Sequence, residues 1–210
     1  MALSRVTAPV AEPLTLREAK LHLRVDVDDE NDLINDLIAA ARQTCEQITH
    51  RAFITQTWDL NLDGFPWGWS NVVQTPALGA DGAIWVPLAP LQSVTSVTYV
   101  DTAGVTQTWS STLYSVDAPA GEHARPGRIT PAYAQYYPIV RTVPNAVTVR
   151  FVAGYGAADD VPAGIKAAMK LFIGNWWLNR EAGTLASGGR GTSDVLPFGV
   201  DTLLWPFKAI

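Results

Sequence analysis

The sequence predicts an α+β fold in which a helical platform carries an inserted β-rich unit. Apolar residues recur at helical spacing near both ends of the chain, over 14–52 and 161–210. Between them, over 53–156, short β-rich runs alternate with proline and glycine. The platform is expected to contain two N-terminal helices, one long C-terminal helix and one short C-terminal helix. A chain of 210 residues, 48% hydrophobic and 17% charged, is long enough and apolar enough to bury such cores.

The N-terminal part of the platform is predicted to be two consecutive helices. Thr15 and Glu18 have the spacing of a capping box, which opens a short helix over 16–24. After the acidic run DVDDEND a longer helix follows and is expected to end near His50 or Arg51, because basic side chains suit the negative end of the helix dipole. Its apolar stripe consists of Ile34, Leu37, Ile38, Ala41, Cys45 and Ile48.

The middle of the chain changes to the period of a β-sheet. Residues 57–62 alternate between polar and apolar, and turn residues close this run at 64–66. Residues 101–104 lie between two β-rich runs and are predicted to form a hairpin connection. The other β-rich runs cover 84–86, 94–100, 105–109 and 147–152.

Helical spacing returns after Val161, with Pro162 expected at the first helical position, where its missing N–H is tolerated. This helix is apolar on several sides, which indicates that it is covered on several sides, in part by other subunits. The candidate subunit-interface residues on it are Phe172, Trp176 and Trp177.

The last part of the chain is expected to combine a loop and one short helix. Residues 183–193 are small, polar and rich in glycine, as in a mobile loop. The segment LPFGVDTLLWPFKAI allows one short helix, which Pro206 should stop.

Charge and hydropathy exclude several functional classes. The net charge is −5, and no basic stripe is present of the kind that binds the phosphates of duplex DNA. The N-terminus lacks the apolar core of a signal peptide, and no stretch reaches the roughly 18 apolar residues of a membrane span. The chain is therefore expected to act in the cytosol or to be assembled there. Cys45, the single cysteine, is expected to be a small buried hydrophobe rather than a reactive thiol.

No catalytic, metal or cofactor site is predicted. The acidic run resembles a calcium loop but lacks the central glycine and the distal glutamate, and helix capping explains it more simply. The three histidines, His22, His50 and His123, have no ligand spacing. The segment SGGRGTS has no lysine before its threonine, and no Gly-x-Ser-x-Gly motif occurs. A hydrolase that uses Asp28 and Asp29 stays open as an alternative.

Two tryptophans in a predicted loop suggest a second alternative function. Trp67 and Trp69 flank a glycine in a predicted loop, where their rings could stack on a sugar, as in a carbohydrate-binding module. Packing in the core or at a protein interface is the more common role of such residues.

The order and spacing of several blocks resemble the head–tail connector, or adaptor, proteins of long-tailed phages and gene transfer agents. The segment from Trp67 to Asp81 is longer than in that pattern. The blocks that carry the resemblance are LTLREAKLHLRVDVDDENDLINDLIAAARQTCEQITHRAFITQTWDLNLDGFP, VPLAPLQSVTSVTYVDTAGV, PGRITPAYAQYYP, VPNAVTVRFVAGYG, VPAGIKAAMKLFIGNWWLNREA and LPFGVDTLLWPF.

The resemblance implies a structural subunit without enzymatic activity. Such proteins form a ring of about twelve copies beneath the portal of the particle, a closed head-to-tail assembly. The implied partners are the portal protein, further copies of the chain, a downstream stopper or tail protein, and DNA that passes through the channel without specific binding. The implied location is the neck of a particle assembled in the bacterial cytoplasm. A stopper or tail-terminator ring subunit is the nearest alternative.

The resemblance also implies that the C-terminal segment, residues 196–210, grips the portal. Its apolar side chains suit such an anchoring role. The candidate portal-binding residues are Leu203, Leu204, Trp205 and Phe207.

Overall fold

The structure, a computed structural model, describes residues 1–66, 82–180 and 199–209. These residues form an α+β fold with antiparallel sheets and four α-helices, which confirms the predicted fold class. The strands are β1 (Ala2–Thr7), β2 (Gln56–Leu62), β3 (Ile84–Trp85), β4 (Leu91–Val100), β5 (Thr106–Trp109), β6 (Tyr114–Asp117), β7 (Arg128–Pro131) and β8 (Val147–Ala153). The helices are α1 (Leu16–Leu23), α2 (Asn31–Thr49), α3 (Ala163–Leu178) and α4 (Val200–Leu204).

The described residues fall into two compact units. The sheet unit comprises residues 1–10, 50–156 and 209. The helical unit comprises residues 11–49 and 157–208.

The sheet unit contains a five-stranded sheet in the order β1-β2-β8-β4-β5 and a three-stranded sheet in the order β3-β7-β6. All pairs in the larger sheet are antiparallel, and alternate residues of β2 and β8 point into the core. The predicted hairpin is confirmed, because the Gly104 N–H donates to the Asp101 carbonyl at 2.9 Å and Gly104 has a φ of +88°. The core is formed mainly by Leu60, Leu62, Phe65, Ile84, Val97, Trp109, Ile129, Val147, Val149 and Phe151.

The helical unit begins with the predicted capping box. The Glu18 N–H donates to Thr15 Oγ1 at 3.2 Å, and the Thr15 N–H donates to Glu18 Oε2 at 2.9 Å. Helix α1 ends at Leu23, and the C-cap residue Arg24 has a left-handed backbone with a φ of 57°. Helix α2 ends at Thr49, within one or two residues of the predicted end.

Helix α3 packs against α1, α2 and α4, which buries its apolar residues on several sides. The Arg42 guanidinium on α2 is almost fully buried and pairs with Glu12 at 2.7 Å and with Glu46 at 2.8 Å. The buried residues of this unit include Leu14, Ala19, Ile34, Ile38, Ala41, Cys45, Ile165, Ala168, Met169, Phe172, Ile173, Val200, Leu204 and Phe207.

The structure differs from the sequence predictions in two respects. Pro162 was predicted at the first helical position, but it occupies the N-cap position of α3, and the helix begins at Ala163. Its carbonyl accepts from the Ile165 and Lys166 N–H groups. Strands β1, β6 and β7 were not predicted. Both β6 and β7 are four residues long, and β7 ends in a proline, so neither has a strong strand pattern.

Candidate functional site

The C-terminal segment places its four candidate residues in different environments. Leu204 is fully buried and Phe207 is nearly so, while Leu203 is half-buried. The Phe207 ring lies so close to Gly164 on α3 that a Cβ at Gly164 would be 2.9 Å from it. Trp205 instead leaves 64% of its surface exposed, with Lys208 Nζ 4.9 Å from its ring centre. In this conformation Trp205 is therefore the candidate most available to another protein.

The predicted stop at Pro206 is confirmed, since α4 ends at Leu204. The chain then makes one tighter 3₁₀ turn over Trp205–Phe207, which directs Phe207 back into the helical unit. Lys208 pairs with Asp201 at 2.9 Å across this turn.

The C-terminal end of α3 carries the three aromatic residues predicted for the subunit interface. Phe172 is buried, and Trp176 is half-buried with its ring centre 5.0 Å from that of Phe172. Trp177 is half-buried beneath the Arg180 guanidinium, 4.2 Å from the ring centre. Arg180 also pairs with Glu30 at 2.8 Å. Of the three, Trp176 and Trp177 retain surface that another subunit could cover.

The acidic run is organised around a lysine of the same unit. Lys20 Nζ donates to the Val27 carbonyl at 2.7 Å, to Asp28 Oδ1 at 2.8 Å and to Asn31 Oδ1 at 3.0 Å. The hydrogen bond from Lys20 lowers the pKa of Asp28. This contact gives Asp28 a role in joining α1 to the start of α2. Within residues 1–66, 82–180 and 199–209, no group of three or more His, Cys, Asp or Glu residues could hold a metal ion.

Cys45 lies in the core of the helical unit with no exposed surface, which confirms its expected burial. Burial raises the pKa of the Cys45 thiol to about 12, so the thiol is neutral at physiological pH.

One edge of the five-stranded sheet is open. Strand β1 pairs with β2 on one side, and no described strand lies on its other side. Every residue of β1 is exposed, including the apolar Leu3 and Val6. Such an edge carries a row of backbone donors and acceptors that a further strand can use. We call residues 2–7 the β1 edge.

A second surface is formed by residues 132–145, which we call the tyrosine loop. Its two ends are fixed by hydrogen bonds, from the Ala132 N–H to the Leu113 carbonyl at 3.0 Å and from the Asn145 N–H to Asp63 Oδ1 at 2.9 Å. Between them Tyr137 points inward. Its hydroxyl donates to the Gly82 carbonyl at 2.8 Å, and its ring stacks on Phe65 with centres 5.0 Å apart.

The same loop directs three large apolar side chains into solvent. Tyr133 is 100% exposed, Tyr136 is 86% exposed and Ile139 is 73% exposed. Exposed tyrosines on an anchored loop are typical of protein interfaces, because little conformational freedom is lost on binding.

Neither the β1 edge nor the tyrosine loop was predicted from the sequence as a functional surface. A signal for the loop was present, since residues 129–140 contain no charge and are bounded by Arg128 and Arg141. The β1 edge had no comparable signal. Trp67 and Trp69, the loop at 183–193 and the first residues of the C-terminal segment lie outside the described residues.

Comparison with known sequences gives a family match over residues 13–113, to the family described as Phage gp6-like head-tail connector protein. The resemblance to head–tail connectors is confirmed over these residues. No curated protein matches the sequence.

Comparison with solved structures gives matches that span the whole chain. A chain from the neck of an empty gene transfer agent (GTA) particle, computed with C6 symmetry, has a TM-score of 0.73. A chain from the neck of a native GTA particle, computed with C12 symmetry, has a TM-score of 0.72, and one from the virion of a native GTA particle has 0.71. Each is 23% identical to this chain, and each alignment covers 100% of this chain and 96% of the other. At this identity the likeness establishes a shared fold.

Proposed function

We propose that this chain is a structural subunit of the neck of a tailed-phage or gene transfer agent particle, an adaptor that joins the portal to the tail. The observation that carries the proposal is the head–tail connector family match over residues 13–113. The likeness to neck chains over the full length supports it, because the remaining residues then adopt a fold that is known in particle necks. A structural role without catalysis agrees with both.

The proposed assembly is a ring of about twelve copies beneath the portal, with DNA passing through its centre. The symmetry of the neck structures, C6 and C12, supports a ring for the related chains and, by this proposal, for this one. The net charge of −5 suits a channel through which DNA slides, since the 20 Asp and Glu residues outnumber the 15 Lys and Arg residues that could hold phosphates. In this assembly the helical unit is the platform and the sheet unit is its insertion.

The C-terminal segment is the proposed contact with the portal. By this proposal, the described residues of the segment have two different roles. Leu204 and Phe207 hold the segment on the helical unit, and Trp205 presents its ring to the partner. Trp176 and Trp177 are the proposed contribution of α3 to the subunit interface.

The test is to mix the purified chain with its cognate portal and to image the product by electron microscopy. We expect a ring of the chain on the portal's tail-facing end. Trp205→Ala should weaken portal binding by about tenfold or more, as at an interface hot spot, and leave the circular dichroism spectrum unchanged. Leu21→Ala is the matched control, because Leu21 is a 69% exposed apolar residue of the same unit, outside the proposed contacts.

Three outcomes would contradict the proposal or a part of it. Portal binding by Trp205→Ala equal to that of the unaltered chain would remove the role of Trp205 as the portal contact of the C-terminal segment. A chain that binds only to an already formed adaptor ring would be a stopper or tail-terminator subunit, the alternative from the sequence. Glycan binding that is lost on Trp67→Ala would instead favour the carbohydrate-binding alternative.

A further inference from the structure

The five-stranded sheet has two open edges, and they are different from each other. Strand β1 forms one edge and β5 forms the other, with β2, β8 and β4 between them. Within the described part of the chain, each edge strand pairs with a single neighbour. Open edges favour pairing with another chain, so proteins commonly cover them or pair them.

The β1 edge has the properties of a strand that accepts a partner. All its residues are exposed, and the irregularity in its pairing with β2 falls between Arg5 and Thr7, which leaves the first residues regular. The Arg5 guanidinium lies over the Trp58 ring, 5.9 Å from its centre. Leu3 and Val6 leave 37% and 47% of their surfaces exposed.

The β5 edge is bordered by the exposed apolar residues of the tyrosine loop. The first three residues of β5 are exposed, and Val105 just before them is 54% exposed. The tyrosine loop lies beside this end of the sheet. Its Tyr137 ring is 5.3 Å from the ring of Trp109 on β5, and its Arg141 N–H donates to the Val100 carbonyl at the end of β4 at 3.0 Å.

We propose that the β1 edge of one copy pairs with the β5 edge of the next copy, so that the sheet continues across the subunit boundary. Leu3 and Val6 of the first copy would then pack on the tyrosine loop and Val105 of the second. This inference rests on the proposed ring, because it names the contact that builds the ring.

A second copy is the partner that best fits these two surfaces. A head-to-tail contact needs two different surfaces on every copy, and the two edges of one sheet provide them. Closure of the ring pairs both edges of the five-stranded sheet, whereas an unrelated partner on β1 would leave β5 open. The backbone hydrogen bonds would supply affinity, and the apolar side chains would select the neighbour.

Cysteine cross-linking tests this contact in the full-length chain. Cys45 is fully buried, so the natural chain is already a suitable background. Ser4 on β1 and Thr108 on β5 lie on the same face of the sheet and should come close across the boundary. Ser4 pairs with Asp59, Asp59 pairs with Arg150, and Arg150 pairs with Ser96, so these side chains share one face. Thr98 is two residues after Ser96 on β4 and therefore lies on the same face, and it pairs with Thr108.

The experiment mixes two single variants under mild oxidation, Ser4→Cys and a size-tagged Thr108→Cys, with Thr106→Cys as a second register. We expect a disulfide-linked heterodimer from the mixture and none from either variant alone. A homodimer of Ser4→Cys alone would overturn the proposal in favour of a two-fold β1–β1 contact. The absence of a heterodimer with both Thr106→Cys and Thr108→Cys would overturn it as well.

Surface variants provide an independent measurement. Tyr136→Asp should lower the yield of heterodimer by about tenfold or more, as for an interface hot spot. Val116→Asp is the control, because Val116 is a 39% exposed residue of β6 outside the proposed contact. Equal losses in the two variants would contradict the role of the tyrosine loop. Heterodimer formation without portal binding would refute the adaptor function alone, and portal binding without a heterodimer would refute this contact alone.

Discussion

Glu18 connects the first turn of α1 to its own N-cap. The hydrogen bond from the Thr15 backbone lowers the pKa of Glu18 below its ordinary value of 4.5. A lowered pKa in the folded chain means that the ionised carboxylate stabilises the fold. That stabilisation is present above the unfolded pKa and is lost as the pH falls through the folded pKa.

We therefore expect the natural chain to lose more free energy of unfolding between pH 6 and pH 3 than the Glu18→Gln variant does. The difference should be on the order of 1 kcal/mol or less, because the capping box is exposed. Urea unfolding at several pH values measures it. Parallel pH profiles of the two proteins would show that Glu18 does not contribute in this way.

At the scale of elements, the C-terminal turn combines a buried anchor and an exposed ring. Phe207→Ala should destabilise the chain by about 3 kcal/mol, because it leaves a cavity beside Gly164. Trp205→Ala, at a 64% exposed position, should change stability by no more than about 0.5 kcal/mol. Chemical denaturation followed by circular dichroism compares the two. Similar losses of stability in the two variants would contradict the assignment of Phe207 as a buried anchor and Trp205 as an exposed ring.

Helices were predictable from the sequence because their signals are local. The capping box at Thr15 and the stripe through Ile34 and Ile38 need no information from distant residues. Strand β1 needs such information. Its residues, ALSRVT, become a strand through pairing with β2, so tertiary context overrides a weak local pattern.

The candidate site was predictable in part for the same reason. Apolar character identified Leu204, Trp205 and Phe207, but a sequence does not say which of them faces the core. That assignment follows from the 3₁₀ turn after α4 and from the missing side chain at Gly164. The inward position of Tyr137 beside the exposed Tyr133 and Tyr136 likewise depends on contacts with Phe65 and Trp109.

At the scale of the whole molecule, net charge affects the affinity of the chain for DNA. With a charge of −5, we expect affinity for a duplex weaker than the roughly 10⁻⁴ M limit of ordinary nonspecific binders at 0.15 M salt. Fluorescence anisotropy with a labelled duplex measures this affinity. Binding in the micromolar range that weakens steeply with salt would indicate a basic contact surface and contradict a sliding channel.

No described helix is long and apolar enough to cross a membrane. The family match covers residues 13–113, and the likeness to neck chains shows a shared fold. The described apolar surfaces of this chain, at Trp205, at the tyrosine loop and at the β1 edge, are the places where we expect contacts with other proteins.

The long separation in sequence between α2 and α3 has a consequence for synthesis on the ribosome. Helix α2 buries its apolar stripe against α3, which is made only after the whole sheet region has been translated. Until then the part of this stripe that faces α3 has no permanent cover, and the nascent chain exposes an apolar surface to chaperones. Contacts between such distant segments also slow folding, because a long loop must close before they form. The supply of assembly-competent subunits should therefore be sensitive to the rate of translation and to chaperone capacity.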